Sequence, residues 1–84
     1  MYYTYVLQSL KDGDFYTGHT KDLKLRFEQH NRGRVESTKH RGPLELIYYE
    51  ACHDKSDALK REKYLKSYHR KMFLKKRLKS YLTG

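Results

Sequence analysis

The stretch that decides the fold reads YYTYVLQSLKDGDFYTGHT and runs from residue 2 to residue 20. Residues 2–8 are rich in tyrosine, threonine and valine, which favour strands, and they show little alternation of polar and apolar side chains. The Asp-Gly pair at residues 12 and 13 is a strong hairpin signal, and residues 15–19 read as the returning strand. Gly18 inside that strand indicates a bulge or a close approach to the backbone. The sequence therefore predicts an opening β-hairpin.

A helix is predicted to follow the hairpin. Thr20 is its expected N-cap, and Asp22 lies in its first turn, where a carboxylate complements the positive end of the helix dipole. The helix is expected to end near Asn31, before Gly33. Its inward positions follow the spacing of an amphipathic helix: Leu23, Phe27 and His30.

A loop and a third strand come next. Residues 32–43 contain two glycines and a proline without periodicity, which indicates a basic loop. Residues 44–52 are the predicted third strand. Its apolar side chains are expected on one face: Leu44, Leu46 and Tyr48.

The rest of the chain is predicted to be helical. Ser56 is the expected N-cap of a second helix, with Asp57 at its start. A break is expected near Tyr68 and His69, after which a basic amphipathic helix continues to Leu82. One face of the second helix collects four side chains: Ala58, Leu59, Glu62 and Leu65.

The order of elements, β-β-α-β-α-α, defines the expected fold class. It predicts an α+β fold in which a small three-stranded antiparallel sheet is flanked by helices. No internal repeat, linker or low-complexity tract divides the sequence. We therefore expect one domain over residues 1–84, with a basic helical segment at 60–82.

Composition excludes several classes of protein. Hydrophobic side chains make up 37% of the 84 residues and charged ones 35%, a balance that by itself suggests disorder. Nine tyrosines and three phenylalanines argue instead for a folded domain, because disordered segments are poor in aromatic residues. No apolar run approaches the roughly 20 residues of a membrane span, so we expect no membrane partner.

Two further features predict the compartment. The N-terminal residues lack the basic and apolar regions of a signal peptide. Cys52 is the sole cysteine, which excludes an internal disulfide and a CxxC zinc site. Both features predict a cytoplasmic protein in a reducing environment.

The positive charge is concentrated near the C-terminus. The net charge is +9, yet residues 1–59 carry nine basic and nine acidic side chains, and residues 60–79 carry ten basic side chains against one acid. Such a basic stripe is typical of a protein that binds a polyanion, while the alternative interpretation is a solvated, solubilising face. We expect nucleic acid as the partner, bound through basic side chains of this stripe: Lys60, Lys63, Lys66, Arg70, Lys71, Lys75 and Lys79.

Glu62 is a charged residue on a face that should be apolar. Its neighbours on the predicted helix are Leu59 and Leu65, so its carboxylate is expected to point toward the sheet. Burial of an unpaired carboxylate costs several kcal/mol and therefore requires a cation. One interpretation is an ion pair with a lysine or arginine. The other is a divalent metal, because one carboxylate, several waters and a substrate phosphate are the usual ligands of Mg²⁺.

Two pairs of residues bring together groups that suit phosphate chemistry. Arg26 and His30 lie one turn apart on the first helix and can present a guanidinium and an imidazole to one point. A snorkelling arginine and a core histidine are the more common explanation of such a pair. Tyr5 and Tyr16 lie on the two hairpin strands, where phenols can transfer protons or simply pack in the core. The remaining histidines with no metal-like spacing are assigned no role: His19, His40 and His53.

Together these residues resemble the GIY-YIG nuclease family. The two triplets of that family lie on two short strands, and here they read Tyr3-Thr4-Tyr5 and Tyr16-Thr17-Gly18. Both tyrosines and the second glycine are kept, while the first glycine and both isoleucines are replaced. Arg26 and His30 stand where members carry an arginine and, in some, a histidine one turn later. Glu62 stands where the family has its metal-binding glutamate.

The resemblance is closest to the stand-alone, single-domain bacterial subfamily and covers essentially the whole chain. The last family position, an asparagine after the helix of the glutamate, is not matched, since Lys66, Ser67 and Tyr68 occupy that region. Five segments match the subfamily in order: Tyr5-Val6-Leu7, Tyr16 to Thr20, Leu23 to Gly33, Leu46 to Glu50, and Ala58 to Lys66.

The resemblance implies a metal-dependent endonuclease that hydrolyses nucleic-acid phosphodiesters, DNA more than RNA. One Mg²⁺ or Mn²⁺ ion would be held by Glu62, and Arg26 would stabilise charge on the phosphoryl group. Tyr5 is the expected general base, with His30 receiving its proton. Tyr16 would position the nucleophile or the phosphate, although the two tyrosines are interchangeable in these roles. Since an ordinary tyrosine pKa near 10 is too high for a base, the arginine and the metal are expected to lower it.

The resemblance also implies a shared site and a limited selectivity. Gly18 would let substrate approach the backbone, and the basic segment would supply affinity without reading bases, which predicts structural or weak selectivity. The alternative is a catalytically inactive nucleic-acid-binding module of the same fold, which the altered first triplet and the unmatched asparagine favour. A weaker third interpretation is a domain that acts only through protein partners. The catalytic groups are expected to converge on one cleft: Tyr5, Tyr16, Arg26, His30 and Glu62.

Overall fold

The predicted hairpin is present in the computed structural model, which describes residues 1–67 and 69–83, with the backbone alone at 69, 71 and 83. Strand β1 spans Tyr2–Ser9 and strand β2 spans Phe15–Thr20, and the two pair antiparallel. Gly13 in the turn has φ +79°, a left-handed conformation that glycine adopts without steric cost. The Asp-Gly hairpin prediction is confirmed.

Helix α1 spans Leu23–Asn31, but its N-cap is not the predicted one. The carboxylate of Asp22 accepts a hydrogen bond from the backbone N–H of Leu25 at 3.1 Å. Thr20 is instead the last residue of β2, and its hydroxyl accepts a hydrogen bond from the backbone N–H of Asp22 at 3.1 Å. Two capping side chains stand two residues apart here, and the charged one occupies the cap because it also complements the helix dipole.

Strand β3 spans Leu44–Cys52 and completes an antiparallel sheet in the order β2-β1-β3. Its register against β1 shifts at one point: Leu7 pairs with Leu46, whereas Val6 pairs with Tyr48. Ile47 is therefore an extra residue, a β-bulge. Since the bulge reverses the alternation, Tyr48 faces the opposite side of the sheet from Leu46, and the prediction of one shared face was wrong for that tyrosine.

Helix α2 spans Lys55–Lys66 and is also capped by an aspartate, two residues earlier than the predicted Ser56. The carboxylate of Asp54 accepts a hydrogen bond from the backbone N–H of Ser56 at 2.7 Å, so the serine lies inside the helix. Ala58 and Leu65 are fully buried as expected. Leu59, by contrast, is 40% exposed and does not belong to the buried face.

The C-terminal segment forms two helices where one was predicted. Helix α3 spans His69–Arg77 and helix α4 spans Lys79–Thr83. The expected break after α2 is confirmed, although Tyr68 lies outside the described residues. A second break at Leu78 divides the predicted basic helix.

The sheet has helices on both faces. On the face covered by α1, hereafter the α1 face, Tyr5 and Leu7 pack with Leu44. On the face covered by α2 to α4, hereafter the α2 face, Val6 packs with Leu65 and Leu74. The predicted fold class is confirmed, with one additional short helix at the end. None of the described helices is both long and apolar enough to cross a bilayer.

Candidate active site

Three buried side chains form a hydrogen-bonded chain beneath α1. The Tyr5 hydroxyl lies 2.8 Å from His30 Nε2, and His30 Nδ1 lies 2.7 Å from Thr38 Oγ1. Each of the three side chains belongs to a residue only 1% exposed. The tyrosine comes from the central strand, the histidine from the last turn of α1, and the threonine from the loop that follows.

His30 is held neutral at this position. Burial, together with the positive charge of Arg26, lowers its pKa to about 4. A neutral imidazole has one donor and one acceptor nitrogen. One ring nitrogen therefore donates and the other accepts, and each faces a hydroxyl group that can fill either role.

Tyr16 joins the cluster through its ring. Its ring centroid lies 5.0 Å from that of His30 and 6.4 Å from that of Tyr5. Unlike these two residues, Tyr16 is only half-buried. The structure thus brings Tyr5, Tyr16, Arg26 and His30 together on the α1 face, although their placement does not test their chemical roles.

Tyr5 differs from the expected general base in its proton affinity. Burial raises its pKa to about 12, and the hydrogen bond from Arg26 offsets only part of that rise. Arg26 by itself does not bring the pKa of Tyr5 below its ordinary value, because loss of hydration dominates for a phenol this deeply buried. Tyr5 therefore keeps its proton and is hydrogen-bonded to His30.

Gly18 lies directly against the Tyr5 phenol. A Cβ atom at residue 18 would stand 2.5 Å from the Tyr5 hydroxyl oxygen and 3.2 Å from a ring carbon of Tyr16. No side chain fits in that space. The predicted close approach to the backbone is present, and its occupant is the tyrosine of the neighbouring strand.

Glu62 does not share the sheet face of the tyrosines. Its Oε1 lies 3.0 Å from His19 Nδ1, and its Oε2 lies 3.4 Å from Lys66 Nζ. His19 pairs with Thr4 in the register of the hairpin, so both point to the α2 face, while Tyr5 and Gly18 point to the α1 face. The expectation that all five groups meet on one side was wrong for Glu62, because α2 packs on the opposite side of the sheet.

Glu62 nevertheless lies close to the tyrosine cluster, because a single strand, β2, stands between them. Adjacent strands lie about 4.8 Å apart, and the negative charge of Glu62 contributes to the raised pKa of Tyr5. Gly18 places no side chain between them. Arg26 and Glu62 thus stand on the two sides of β2, within electrostatic range of the same phenol.

Two residues of this region were missed by sequence reasoning. His19 was assigned no role because its distance along the chain from any other ligand is uninformative. The hairpin register could have identified His19, because it places this residue beside Thr4 on the same face of the sheet. The Thr4 hydroxyl donates to the backbone carbonyl of Ala58 in α2, so this face packs against the helix that carries Glu62. Thr38 lies in an irregular loop, and nothing in its local sequence marks it as the partner of His30.

The donor set at Glu62 fits one hard divalent cation that keeps ligands from water and substrate. Mg²⁺ is commonly bound through one or two carboxylates together with phosphate and water. Among the described residues, no group of three or more His, Cys, Asp and Glu side chains could enclose a metal ion. The carboxylate is 15% exposed and Lys66 is 53% exposed, so the lysine can leave as an ion approaches.

The basic residues are divided among separate surfaces. Lys60 and Lys63 are exposed on α2, whereas Lys75 and Lys79 are exposed on α3 and α4. Arg70 is half-buried over the ring of Phe15, at 5.4 Å from its centroid. The side chain of Lys71 lies outside the described residues. The predicted stripe is therefore interrupted by the breaks between helices.

Comparison with known proteins gives this site its family context. The model of the GIY-YIG catalytic domain matches residues 1–77. The UPF0213 proteins of Staphylococcus aureus strains Mu50 and N315 are each 43% identical over 75 residues, which cover 88% of this chain and 90% of theirs.

A solved structure gives the same answer for the fold. The UPF0213 protein of Bacillus halodurans, determined by NMR in solution, aligns with a TM-score of 0.53 at 36% identity and covers 88% of this chain and 82% of its own. The sequence resemblance is thereby confirmed over nearly the whole described fold. The chain belongs to the GIY-YIG catalytic domain family, a family of nucleases.

Proposed function

We propose that this protein is a divalent-metal-dependent endonuclease that hydrolyses nucleic-acid phosphodiesters, with DNA as the expected substrate. The observation that carries the proposal is the cluster in which Tyr5, Tyr16 and His30 meet beside Arg26, one edge strand away from Glu62. Such a collection of a cation, two phenols and a carboxylate at one edge of a sheet suits stabilisation of a phosphoryl transition state.

The two tyrosines have different roles in this proposal. Tyr5 is fully buried and keeps its proton, so it supports the site through its hydrogen bond to His30. Tyr16 is half-buried and faces the edge of the sheet, where water and phosphate can reach it. We therefore assign contact with the attacking water or the phosphate to Tyr16 and a positioning role to Tyr5.

Arg26 and Glu62 act on the phosphate from the two sides of β2. The guanidinium stabilises the negative charge that develops on the phosphoryl oxygens. Glu62 would hold the single Mg²⁺ or Mn²⁺ ion, which supplies Lewis-acid stabilisation of the phosphate and the leaving oxygen. His19 orients the carboxylate through Oε1, and Lys66 neutralises it until the ion binds.

The affinity for substrate is proposed to come from phosphate contacts and not from base readout. Exposed lysines of α2, α3 and α4 supply the positive surface, with Lys66, Arg70 and Lys71 as further candidates. Contacts to phosphate carry no sequence information, so cleavage should depend on the structure of the nucleic acid more than on its sequence.

A second candidate function is a nucleic-acid-binding module without catalysis. The specific observation that favours it is the state of the two central groups: Tyr5 has a pKa of about 12, and both oxygens of Glu62 already have partners. A structural ion pair and a core phenol would look the same.

One paired measurement separates the two functions. Nicked, branched and single-stranded DNA are incubated with the wild type in Mg²⁺ or Mn²⁺, and cleavage and thermal unfolding are compared for Glu62→Gln. The matched control is Glu50→Gln, which removes another ion-paired carboxylate, 2.6 Å from Arg61 Nε, on the same face of the sheet.

The proposed nuclease predicts that Glu62→Gln lowers cleavage by orders of magnitude and that Glu50→Gln leaves it nearly unchanged. DNA binding without metal should stay equal or improve in Glu62→Gln, since a negative charge near the phosphate is gone. Absence of cleavage by the wild type on all three substrates, with DNA still bound, would support the binding module instead.

A further inference from the structure

A cleft of about 590 Å³ opens on the α1 face, away from the tyrosine–histidine cluster. It lies where the sheet extends beyond α1, between the start of that helix and the neighbouring ends of β1 and β3. This volume is within the range of small-ligand sites. The cleft is lined by both strands and the start of the helix, and its lining includes Tyr3, Tyr49, Lys21, Asp22 and Lys24.

Aromatic rings form one wall of the cleft. Tyr3 and Tyr49 are neighbours on the sheet, with ring centroids 6.2 Å apart and planes inclined by 60°. Tyr49 is 54% exposed, which is unusual for a tyrosine in a strand that packs against a helix. An exposed ring of this kind offers a face on which a planar group can stack.

Positive charge lies beside the rings. Lys21 and Lys24 border the cleft, against a single carboxylate from Asp22. That carboxylate is engaged by the backbone N–H of Leu25. A ligand that suits this lining has a flat, hydrogen-bonding part for the rings and an anionic part for the lysines.

The cleft shares one residue with a second cleft that borders the partner of Glu62. Lys21 also lines a second, adjoining cleft together with His19, the partner of Glu62. Tyr3 lies two residues from Tyr5 on the same face of β1, a separation of about 7 Å or roughly two nucleotide steps of B-DNA. Nucleic acid held beside the cluster of Tyr5 and Tyr16 can therefore reach the cleft along the α1 face within a few nucleotides.

We propose that this cleft binds an unpaired nucleobase of the substrate, stacked on Tyr49, with its adjacent phosphates beside Lys21 and Lys24. The proposal rests on the proposed nucleic-acid function and deepens it by naming the substrate class. In a duplex, both faces of each internal base are already stacked, so only single-stranded, frayed or branched nucleic acid offers a base to this ring. The cleft would thus give the protein its selectivity for structure.

The absence of tryptophan from the chain provides a local probe. The variant Tyr49→Trp carries one indole, and stacking of a base on it should quench its fluorescence. Titration without metal uses a single-stranded oligonucleotide and a long, fully paired blunt duplex of the same sequence, with binding followed separately by anisotropy of a label on the DNA. We expect quenching by the single strand and little or none by the duplex.

Affinity measurements test the energetic role of the ring. Tyr49→Leu keeps an apolar side chain but removes the aromatic face, and it should weaken single-strand binding about 5- to 150-fold. Tyr49→Phe should bind as the wild type does. Leu25 is also an exposed apolar residue, but it lies on α1 and outside the cleft. Leu25→Ala is therefore the matched control and should leave single-strand binding unchanged.

The outcomes distinguish this proposal from the proposed function. DNA that binds, by anisotropy, without selective quenching of the indole would overturn the cleft and leave the nucleic-acid function standing. If neither the single strand nor the duplex binds, both the cleft proposal and the proposed nucleic-acid function are overturned. An indole signal that depends on protein concentration in the absence of DNA would show that the cleft is covered by a second copy of the chain, which also contradicts the proposal.

Discussion

His30 shows how a single residue can couple stability to pH. Its pKa is about 4 in the folded protein against an ordinary value of 6.5, so the unfolded chain takes up the proton first as the pH falls. The stabilisation is complete above about pH 6.5 and is lost as the pH falls toward 4. The pKa difference between the folded and unfolded states corresponds to a loss of roughly 3 kcal/mol in the free energy of unfolding. Urea unfolding of the wild type and of His30→Gln between pH 4 and 7 should show a steeper pH dependence for the wild type, and parallel curves would contradict this.

Thr38 is predicted to stabilise the protein through one hydroxyl. Its Oγ1 lies 2.7 Å from His30 Nδ1 in the buried chain described above. Thr38→Val keeps the shape but leaves that buried ring nitrogen unpaired, which should cost about 1–3 kcal/mol. Thr38→Ser keeps the hydroxyl and serves as the control in thermal unfolding. Equal melting temperatures for the two variants would show that the hydrogen bond contributes nothing.

Glu62 is predicted to be nearly neutral for stability. Both of its partners are partly exposed, at 33% for His19 and 53% for Lys66, and exposed pairs contribute about 0–1 kcal/mol. A strongly destabilised Glu62→Gln, with a loss of several kcal/mol, would show that the carboxylate is a structural group. This matters for the proposed nuclease, because only a residue that is dispensable for folding can be assigned to metal binding from lost activity.

At the scale of elements, Gly18 is predicted to be required by the packing of β2 against β1. The Cβ of Gly18→Ala would stand 2.5 Å from the Tyr5 hydroxyl and 2.7 Å from its ring carbon Cζ. Such overpacking typically costs about 1–3 kcal/mol. Removing the hydroxyl relieves the shorter contact only, so Gly18→Ala should cost less in a Tyr5→Phe background, without becoming harmless. A double-mutant cycle by urea unfolding measures this coupling, and strict additivity would argue against the contact.

The elements themselves were largely predictable because their signals are local. The Asp-Gly turn, the dense β-forming run at 2–8 and the spacing of Leu23, Phe27 and His30 each act within a few residues. The helix caps were harder, since serine or threonine stood within two residues of an aspartate at both α1 and α2. The bulge at Ile47 has no local signature, because it depends on which residue of β1 stands opposite.

The candidate site was predictable in its residues and less so in its geometry. The resemblance to the nuclease family identifies four residues that the structure brings together: Tyr5, Tyr16, Arg26 and His30. It contains no information on burial, so the raised pKa of Tyr5 could not be anticipated. The side of the sheet on which Glu62 lies depends on how α2 crosses from β3, a tertiary property that the helical pattern does not encode.

At the scale of the whole molecule, the divided basic surface predicts a dependence on duplex length. The longest dimension of the protein is 33 Å, about one turn of B-DNA. Tyr81 anchors α4 to the Gln8 end of the sheet, whereas His19 holds Glu62 near the other end. A short duplex bound near Glu62 should therefore reach the lysines of α2 but not Lys79.

Charge reversal tests this arrangement. Lys60→Glu with Lys63→Glu should weaken binding to duplexes of every length and sequence, because phosphate contacts near the candidate site are lost. Lys75→Glu with Lys79→Glu should weaken binding only to duplexes longer than about one turn, with a fall in the salt slope of roughly two. The measurement is anisotropy over a salt series. Unchanged affinity for both double variants would mean that the basic helices are only a solvated surface.

The bulge in β3 also bears on how the length of this chain can vary. Without Ile47, Leu46 would still lie opposite Leu7 and Tyr48 opposite Val6, so the ladder would become regular and no other side chain would change face. Loss of Tyr49 instead would be absorbed in the same way, with Tyr48 moving into its place. An in-frame deletion of one codon between Leu46 and Glu50 is therefore expected to be tolerated. Deletion of one codon from the regular strand β1 would instead move every side chain on one side of the deletion to the opposite face of the sheet. Alignments of relatives should therefore show gaps most often at Ile47, the extra residue of the bulge.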